Sequence, residues 1–172
     1  MEVKEYLAPS GWPTPSRMVR KMIELADPKP GETLYDIGCG DGRFLVEASK
    51  AYGIRSVGIE CDEKLATKAR ENVKKNNLEN LATVINDDVF NRSLKDADIV
   101  TLYLVDEGME LLRGKLTAEL PENSRIISHW YEFKDLKPTE YRWMWSGVRL
   151  WPPLMPFKVI LRYDAKDLRH EV

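Results

Sequence analysis

The sequence predicts an α/β protein in which helices cover both faces of one largely parallel sheet. Short apolar runs rich in β-branched residues alternate with longer segments whose apolar residues recur at helical spacing. A turn with glycine at every second position joins the first run to a helix, and two more runs, near 141–145 and 157–163, close the chain. This order implies a doubly wound sheet with right-handed crossovers, to which a final pair of strands is added.

Size and composition indicate one globular domain. A chain of 172 residues is most simply built around one core, and 43% hydrophobic with 31% charged residues suits a soluble protein. The net charge of −2 gives no overall attraction to nucleic acid, although a local basic patch stays open.

Cysteine content and hydropathy favour a cytoplasmic protein. Two cysteines, Cys39 and Cys61, each end a predicted strand and make no disulfide framework. The first ten residues lack the apolar core of a signal peptide, and no run approaches the ~20 apolar residues of a membrane span. We therefore expect reduced thiols, a cytoplasmic location and no membrane association.

The N-terminal part is predicted to be a surface extension, 1–13, followed by a helix. Thr14 suits an N-cap, and Pro15 suits the first helical position. Two interpretations of this pair stay open, a plain helix start or a lid beside a ligand.

A glycine turn after the first strand is the main functional feature. Residues 33–37 combine β-forming and apolar side chains, as in a strand covered on both faces. Gly38, Gly40 and Gly42 follow, and because glycine accepts positive φ and lacks a Cβ, a ligand can lie against the backbone there. The helix predicted from Arg43 onward points its first N–H groups toward this turn. The sequence therefore predicts a ligand site of the nucleotide type.

Two carboxylates decide which ligand suits this turn. Asp36 lies inside the apolar strand, where a carboxylate is costly without a specific partner, and Asp41 lies within the turn. The glycine spacing differs from the G-x-G-x-x-G pattern of dinucleotide sites, and an acidic turn is a poor cradle for pyrophosphate. It suits a ligand with an ammonium or sulfonium group, which points to S-adenosylmethionine (SAM). The alternative is a tight strand-to-helix turn whose acids are incidental.

Glu60 is the next candidate for the same ligand. It closes the second predicted strand, 56–59, and lies 20 residues after Gly40, where α/β nucleotide folds place an acid that binds the ribose hydroxyls. It could instead be a solvated loop acid or a helix cap, but Asp62 is the better cap for the next helix.

The helix that begins near Asp62 has a basic outer side. Leu65, Ala69 and Val73 are predicted to face the core. The outer side, with several lysines and interspersed acids, is either a solvated face or a surface for nucleic acid.

The later strands end in side chains suited to a ligand edge, because ligands bind outside the carboxyl ends of strands in such sheets. The fourth strand, 97–104, contains Tyr103, either a wall of an acceptor pocket or a core aromatic. The fifth, 125–130, contains His129, either structural or catalytic. Residues 131–138 are too few for a full helix, and the proline-rich segment 148–156 is either an exposed apolar patch or core.

The stretch from Asp36 to Gly42 resembles the first motif of class I SAM-dependent methyltransferases, acid-x-Gly-x-Gly-x-Gly. This resemblance covers residues 14–163 and implies a Rossmann-like sheet of seven strands with an antiparallel last strand, leaving 164–172 as a frayed tail. It also implies that an acid after the third strand, 82–85, meets the adenine amino group while the next backbone N–H reaches the ring. Asp88 with Val89 is the better candidate, and Asp87 is the alternative.

Four segments carry a closer resemblance: Pro13-Thr14-Pro15, DIGCGDGR at 36–43, ADIVTLYL at 97–104, and Ser128-His129. They are similar to the small archaeal protein-lysine methyltransferases of broad substrate range and their mitochondrial relatives. The resemblance implies an enzyme that uses SAM to methylate lysine side chains on protein substrates. The cofactor-binding residues it implies are Thr14, Pro15, Asp36, Gly38, Cys39, Gly40, Asp41, Glu60, Cys61, Asp87, Asp88, Val89 and Leu102; no metal site is predicted.

Tyr103 and Trp130 are predicted to line the acceptor pocket. The acceptor amine must be neutral, and because free lysine has a pKa of about 10.4, an apolar site must favour the uncharged form by desolvation. Two rival functions stay open, an RNA or small-molecule methyltransferase on the same fold and a SAM-binding partner subunit without catalysis. Residues 102–105 lack the Asn/Asp-Pro-Pro-Tyr/Phe motif of many amino-methylating nucleic-acid enzymes, which counts against that subset.

Overall fold

The computed structural model of the chain describes residues 14–145 and 157–169. The predicted N-terminal extension, 1–13, and the proline-rich segment, 148–156, fall outside these residues. The predicted domain boundaries, 14 and 163, stay a prediction. Within the described ranges no helix combines the length and the apolar character that a membrane crossing requires.

The described residues alternate between helices and strands in the predicted order. The helices are α1 (Ser16–Ala26), α2 (Arg43–Tyr52), α3 (Glu63–Lys75) and α4 (Asp106–Glu119). The strands are β1 (Thr33–Ile37), β2 (Arg55–Glu60), β3 (Ala82–Asn86), β4 (Ile99–Leu102), β5 (Arg125–His129), β6 (Glu140–Trp145) and β7 (Phe157–Asp164). Short 3-10 turns follow β3 (Val89–Asn91) and β7 (Ala165–Arg169).

The strands form one sheet in the order β3-β2-β1-β4-β5-β7-β6. Neighbours among the first five strands pair in parallel, whereas β7 runs antiparallel to both β5 and β6. The predicted Rossmann-like sheet with an antiparallel last strand is therefore confirmed. Because β1 to β5 are parallel, their carboxyl ends meet at the same edge of the sheet.

Different helices cover the two faces of the sheet. On one face, Met22 of α1 belongs to a core cluster with Leu34 of β1. On the other face, Leu112 of α4 belongs to a cluster with Val100 of β4 and Leu168 of the last 3-10 turn. Burial on both faces explains why the central strands read as nearly continuous apolar runs.

The C-terminal third contains one confirmed expectation and one wrong one. The connection between β5 and β6, residues 130–139, contains no helix, as predicted. The expected fraying does not hold for Ala165–Arg169, because Leu168 is buried there. The Arg169 guanidinium donates to the Leu120 carbonyl at 2.5 Å and to Glu122 at 2.9 Å, which ties this turn to the end of α4.

Two local predictions are wrong by one residue. Leu65, predicted to face the core, is 41% exposed, and Ala66 is buried instead. Helix α1 begins at Ser16 with Pro15 in the cap position, and the Thr14 side chain does not cap it. Both helices lie where the pattern predicts. The buried face of α3 and the first residue of α1 each differ by one position from the prediction.

Gly58 in β2 provides a test of packing beneath the glycine turn. A Cβ there would lie 2.6 Å from Cys39 Sγ and 2.7 Å from Leu45 Cδ1. We expect Gly58→Ala to lower the free energy of unfolding by about 1–3 kcal/mol, the usual cost of overpacking, as measured by urea denaturation. Gly114→Ala in α4 is the matched control, because apart from its chain neighbours and the backbone of its own helix no described atom lies within 4 Å of its Cβ position. Alanine is the better helix former, so this change should stabilise by up to about 1 kcal/mol. Equal destabilisation by both substitutions would contradict the packing argument.

Candidate active site

Backbone hydrogen bonds hold the glycine turn against the end of β2. The N–H groups of Gly38 and Cys39 donate to the Ile59 carbonyl at 2.9 and 3.2 Å. Gly38, Gly40 and Gly42 have φ values of 72°, 54° and 75°. A side chain makes this left-handed conformation costly, so the backbone of the turn itself requires the glycines.

Glu60, at the carboxyl end of β2, closes the turn from the other side. Its buried carboxylate accepts one hydrogen bond from the Gly40 N–H at 2.9 Å and another from the Asp62 N–H at 3.0 Å. Asp62 caps α3, as predicted, by accepting from the N–H groups of Lys64 and Leu65. The backbone therefore fixes the orientation of the predicted ribose-binding carboxylate.

Asp36 is buried in β1 between Gly58 of β2 and Thr101 of β4. The Thr101 hydroxyl donates to Asp36 Oδ1 at 2.7 Å, which supplies the specific partner that a carboxylate in an apolar strand requires. Burial raises the pKa of Asp36 to about 7, and the nearby charges of Glu60 and Asp41 act in the same direction. The Thr101 hydrogen bond opposes this rise.

Asp41 is paired with Arg43, a residue that the sequence prediction missed. The guanidinium donates to both Asp41 oxygens, at 2.8 and 2.6 Å, and to the Thr14 carbonyl at 2.5 Å. The hydrogen bonds from Arg43 hold the pKa of Asp41 below its usual range. This clamp brings Thr14 to the glycine turn. A cation in the first turn of a helix opposes the helix dipole, and that is the signal by which such a partner could have been found.

The two acids after β3 have different surroundings. Asp87 uses both carboxylate oxygens within its own turn, accepting from the Asp88 N–H at 2.7 Å, from Asn91 at 3.0 Å and from Arg92 at 2.7 Å. Asp88 accepts through Oδ1 from the Phe90 N–H at 3.0 Å. Among the described residues Asp88 Oδ2 has no hydrogen-bond partner. Asp88 therefore has one carboxylate oxygen available to a ligand, whereas both oxygens of Asp87 already accept hydrogen bonds.

Aromatic rings gather at the carboxyl ends of β4 and β5. Tyr103 follows directly after β4, which is shorter than predicted. Its ring centroid lies 4.6 Å from that of His129 and 6.3 Å from that of Tyr131. Trp130 is 39% exposed. Sequence reasoning missed Tyr131, although an aromatic residue just past a strand end was an available signal.

The remaining predicted cofactor residues lie along the same edge, or next to it. Leu102 ends β4 opposite Ile37 of β1, and Val89 begins the 3-10 turn after β3. Cys39 is buried in the turn, whereas Cys61 is partly exposed after β2. Pro15, at the start of α1, is exposed beside the clamped Thr14.

The donors and acceptors of this edge suit a cationic ligand that lacks phosphate. The N–H groups of Gly38, Cys39 and Gly40 are used in bonds to β2, so they do not form the open nest of donors that a pyrophosphate needs. The acceptors are carboxylates: Asp36, Glu60 and Asp88. Such a set fits the ammonium, sulfonium, ribose hydroxyl and adenine amino groups of SAM.

Comparison with known proteins agrees with this chemistry. Residues 36–140 match the family model of the ANTKMT methyltransferase domain. A protein-lysine N-methyltransferase from Saccharolobus islandicus is 33% identical over 129 residues, 74% of this chain and 80% of that protein. The adenine nucleotide translocase lysine N-methyltransferase of Mus musculus is 31% identical over 114 residues, 66% of this chain but only 49% of that protein.

A solved structure matches a larger share of this chain than these two relatives do. An RNA methyltransferase from Salinibacter ruber, crystallised with S-adenosyl-L-homocysteine, superposes with a TM-score of 0.79 at 32% identity. The match covers 90% of this chain and 94% of that one. Fold, glycine turn and carboxylates thus define a SAM-dependent methyltransferase. Within that class, the chain belongs to the ANTKMT methyltransferase domain family.

The raised pKa of Asp36 predicts a pH-dependent stability. Between pH 3.8 and about 7 the folded protein holds a proton on Asp36 that the unfolded chain has released. Stability should therefore fall as pH rises through this window, by at most about 1.4 kcal/mol per pH unit from this group. Asp36→Asn keeps an acceptor for Thr101 and removes the titration. Urea denaturation should find the variant close to wild type at pH 4 and more stable at pH 8. A constant difference across this range would contradict the assignment.

Proposed function

We propose that this methyltransferase transfers the methyl group of SAM to lysine side chains of proteins. The observation that carries the proposal is the family match over residues 36–140, together with the Saccharolobus islandicus relative, which is described as a protein-lysine N-methyltransferase. The mouse relative is also described as a lysine N-methyltransferase. Neither Cys39 nor Cys61 forms a disulfide, which is consistent with action in the cytoplasm, the location that we propose.

Each part of the cofactor has a proposed partner at the edge of the sheet. Glu60 would accept from the ribose hydroxyls through lone pairs that its two backbone donors, Gly40 and Asp62, leave available. Asp36 would face the positive charge beside the glycine turn. Asp88 would accept from the adenine amino group through Oδ2, with the Val89 N–H directed to the ring. When bound, SAM supplies an electrophilic methyl group on a sulfonium, so the protein must align the acceptor nitrogen with it.

The acceptor end of the site, at the aromatic rings that follow β4 and β5, favours a neutral amine. Tyr103 is half-buried against the ring of His129, so a lysine side chain placed here would lose much of its hydration. Desolvation lowers the pKa of an amine and leaves its lone pair available. Burial raises the pKa of Tyr103 itself, so its hydroxyl stays protonated at neutral pH and the wall carries no charge.

Charge near the acceptor end favours a protein substrate over RNA. A cavity of about 540 Å³ lies between the start of α4 and the segment after β5. It is lined by Asp106, Glu107, Glu110, Glu132, Phe133, Lys134 and Asp135. Five carboxylates against one ammonium leave the lining with an excess of negative charge, which repels phosphate groups and attracts the cationic residues of a protein. The RNA alternative is supported by relatives with such descriptions, among them the Salinibacter ruber structure, which is described as an RNA methyltransferase.

Labelled methyl transfer separates these functions. We would incubate the protein with SAM carrying a labelled methyl group and a host-cell extract, then treat aliquots with protease or ribonuclease. The expected result is label lost with protease and retained with ribonuclease, with methyllysine identified by mass spectrometry. Loss with ribonuclease alone would establish the RNA enzyme, and label confined to small solutes would establish a small-molecule methyltransferase. SAM binding without any transfer would indicate the non-catalytic partner subunit.

Asp88 and Asp87 make a matched pair for testing the adenine contact. Loss of a hydrogen bond to a charged acceptor costs about 1.5 kcal/mol or more, so we expect Asp88→Ala to raise the Kd for SAM roughly tenfold by calorimetry. Asp87→Ala should change this Kd less and should mainly lower stability, because it releases Asn91 and Arg92. A larger loss of SAM affinity in Asp87→Ala would reverse the assignment.

A further inference from the structure

We propose that Tyr131 joins Tyr103 in the wall that holds the target lysine, and that the backbone of Trp130 makes the turn that brings Tyr131 into place. This inference rests on the proposed lysine methyltransferase activity. It adds to the acceptor site a residue that the sequence analysis did not select. It also gives Trp130 a role through its backbone rather than through its side chain.

The rings themselves are the first argument. Among the described residues, the rings that contact Tyr103 are those of His129 and Tyr131, with interplanar angles of 36° and 37°. His129 is 1% exposed and so lies behind Tyr103, whereas Tyr103 and Tyr131 are both partly exposed. The two tyrosines therefore present one continuous aromatic surface, and His129 is a positioning residue for Tyr103.

The order of the strands gives this surface a direction. Tyr103 follows β4, whose last residue, Leu102, pairs with Ile37 immediately before the glycine turn. Tyr131 follows β5, on the side of β4 away from the glycine turn. The wall thus runs from the cofactor side outward, as required for a long aliphatic side chain whose nitrogen must reach the cofactor.

An unusual backbone conformation places Tyr131 on this wall. Trp130 has φ 75°, which is costly for a bulky residue and is found where the surrounding structure enforces it. The Trp130 N–H still donates to the Val159 carbonyl at 3.1 Å, one step beyond the last β5–β7 pair, so the strand pairing ends at this residue. The Ser128 hydroxyl then donates to the Tyr131 carbonyl at 2.6 Å, and this bond holds the chain folded back over the end of β5.

The test compares Tyr131→Ala, Tyr131→Phe and Trp130→Gly, with Tyr52→Ala as a tyrosine control at the far end of α2. Ribonuclease-treated protein extract is the acceptor, and the measurements are kcat/KM for protein methylation, the Kd for SAM and the melting temperature. We expect Tyr131→Ala to lower kcat/KM for the acceptor by about tenfold with the Kd for SAM within about twofold of wild type. Tyr131→Phe keeps the ring and should lose less. Trp130→Gly should also lose less than Tyr131→Ala, because glycine adopts positive φ readily and preserves the turn.

The outcomes separate this inference from the proposed function. A wild-type protein that labels no protein in the extract overturns both. A wild-type protein that methylates the extract while Tyr131→Ala retains full kcat/KM overturns this inference alone. A greater loss in Trp130→Gly than in Tyr131→Ala would also overturn it and assign the contact to the Trp130 side chain. An unchanged Kd for SAM shows that a weakened variant is still folded.

Discussion

The attachment of the glycine turn to the end of β2 is the constraint on which the rest of the site depends. Two N–H groups of the turn donate to the Ile59 carbonyl, and a third donates to the carboxylate of Glu60. The turn therefore has one position relative to the sheet, and the start of α2 follows from it. Gly58 permits this position because a side chain there would collide with Cys39 and Leu45. The site is thus built on the rigid edge of a parallel sheet, where small displacements are resisted by packing.

Charge is distributed unevenly around this turn. Arg43 neutralises Asp41 and at the same time holds Thr14, so that acid contributes to the structure of the turn. Asp36 is bonded to a hydroxyl and Glu60 to backbone N–H groups, and these partners leave the negative charge uncancelled. Negative potential remains where a cationic cofactor would bind. Burial first, and then the charges of Glu60 and Asp41, raise the pKa of Asp36 to about 7, so ionising this carboxyl is costly without a cation beside it.

Much of this arrangement could be predicted, because it rests on local patterns. Apolar runs and glycine spacing predicted the sheet, the turn and the position of Glu60. The apolar pattern predicted less reliably which residues of a helix face the core, because two neighbouring apolar residues can fit the same helical spacing. Ala66 is buried at the turn of α3 where Leu65 was expected, although leucine is the more hydrophobic of the two.

The failures at the site have a different cause. Arg43 pairs with Asp41 only two residues away, but it also binds the Thr14 carbonyl, which lies 29 residues earlier in the chain. The turn at Trp130 likewise lies where β5 meets Val159 of β7. A left-handed residue other than glycine leaves no mark in a single sequence. The choice of Asp88 over Asp87 stays a prediction, and the hydrogen bonds that distinguish the two acids could not be inferred from spacing.

The tight packing around Gly58 has a consequence for chemical reactivity. It buries Cys39 in the glycine turn, and burial raises the pKa of this thiol. Thiolate is the form that reacts with peroxide and alkylating agents, so Cys39 is protected from both by the same contacts that shape the turn. Cys61 is partly exposed and lacks this steric protection. Oxidants and thiol reagents should therefore react with Cys61 before they react with Cys39.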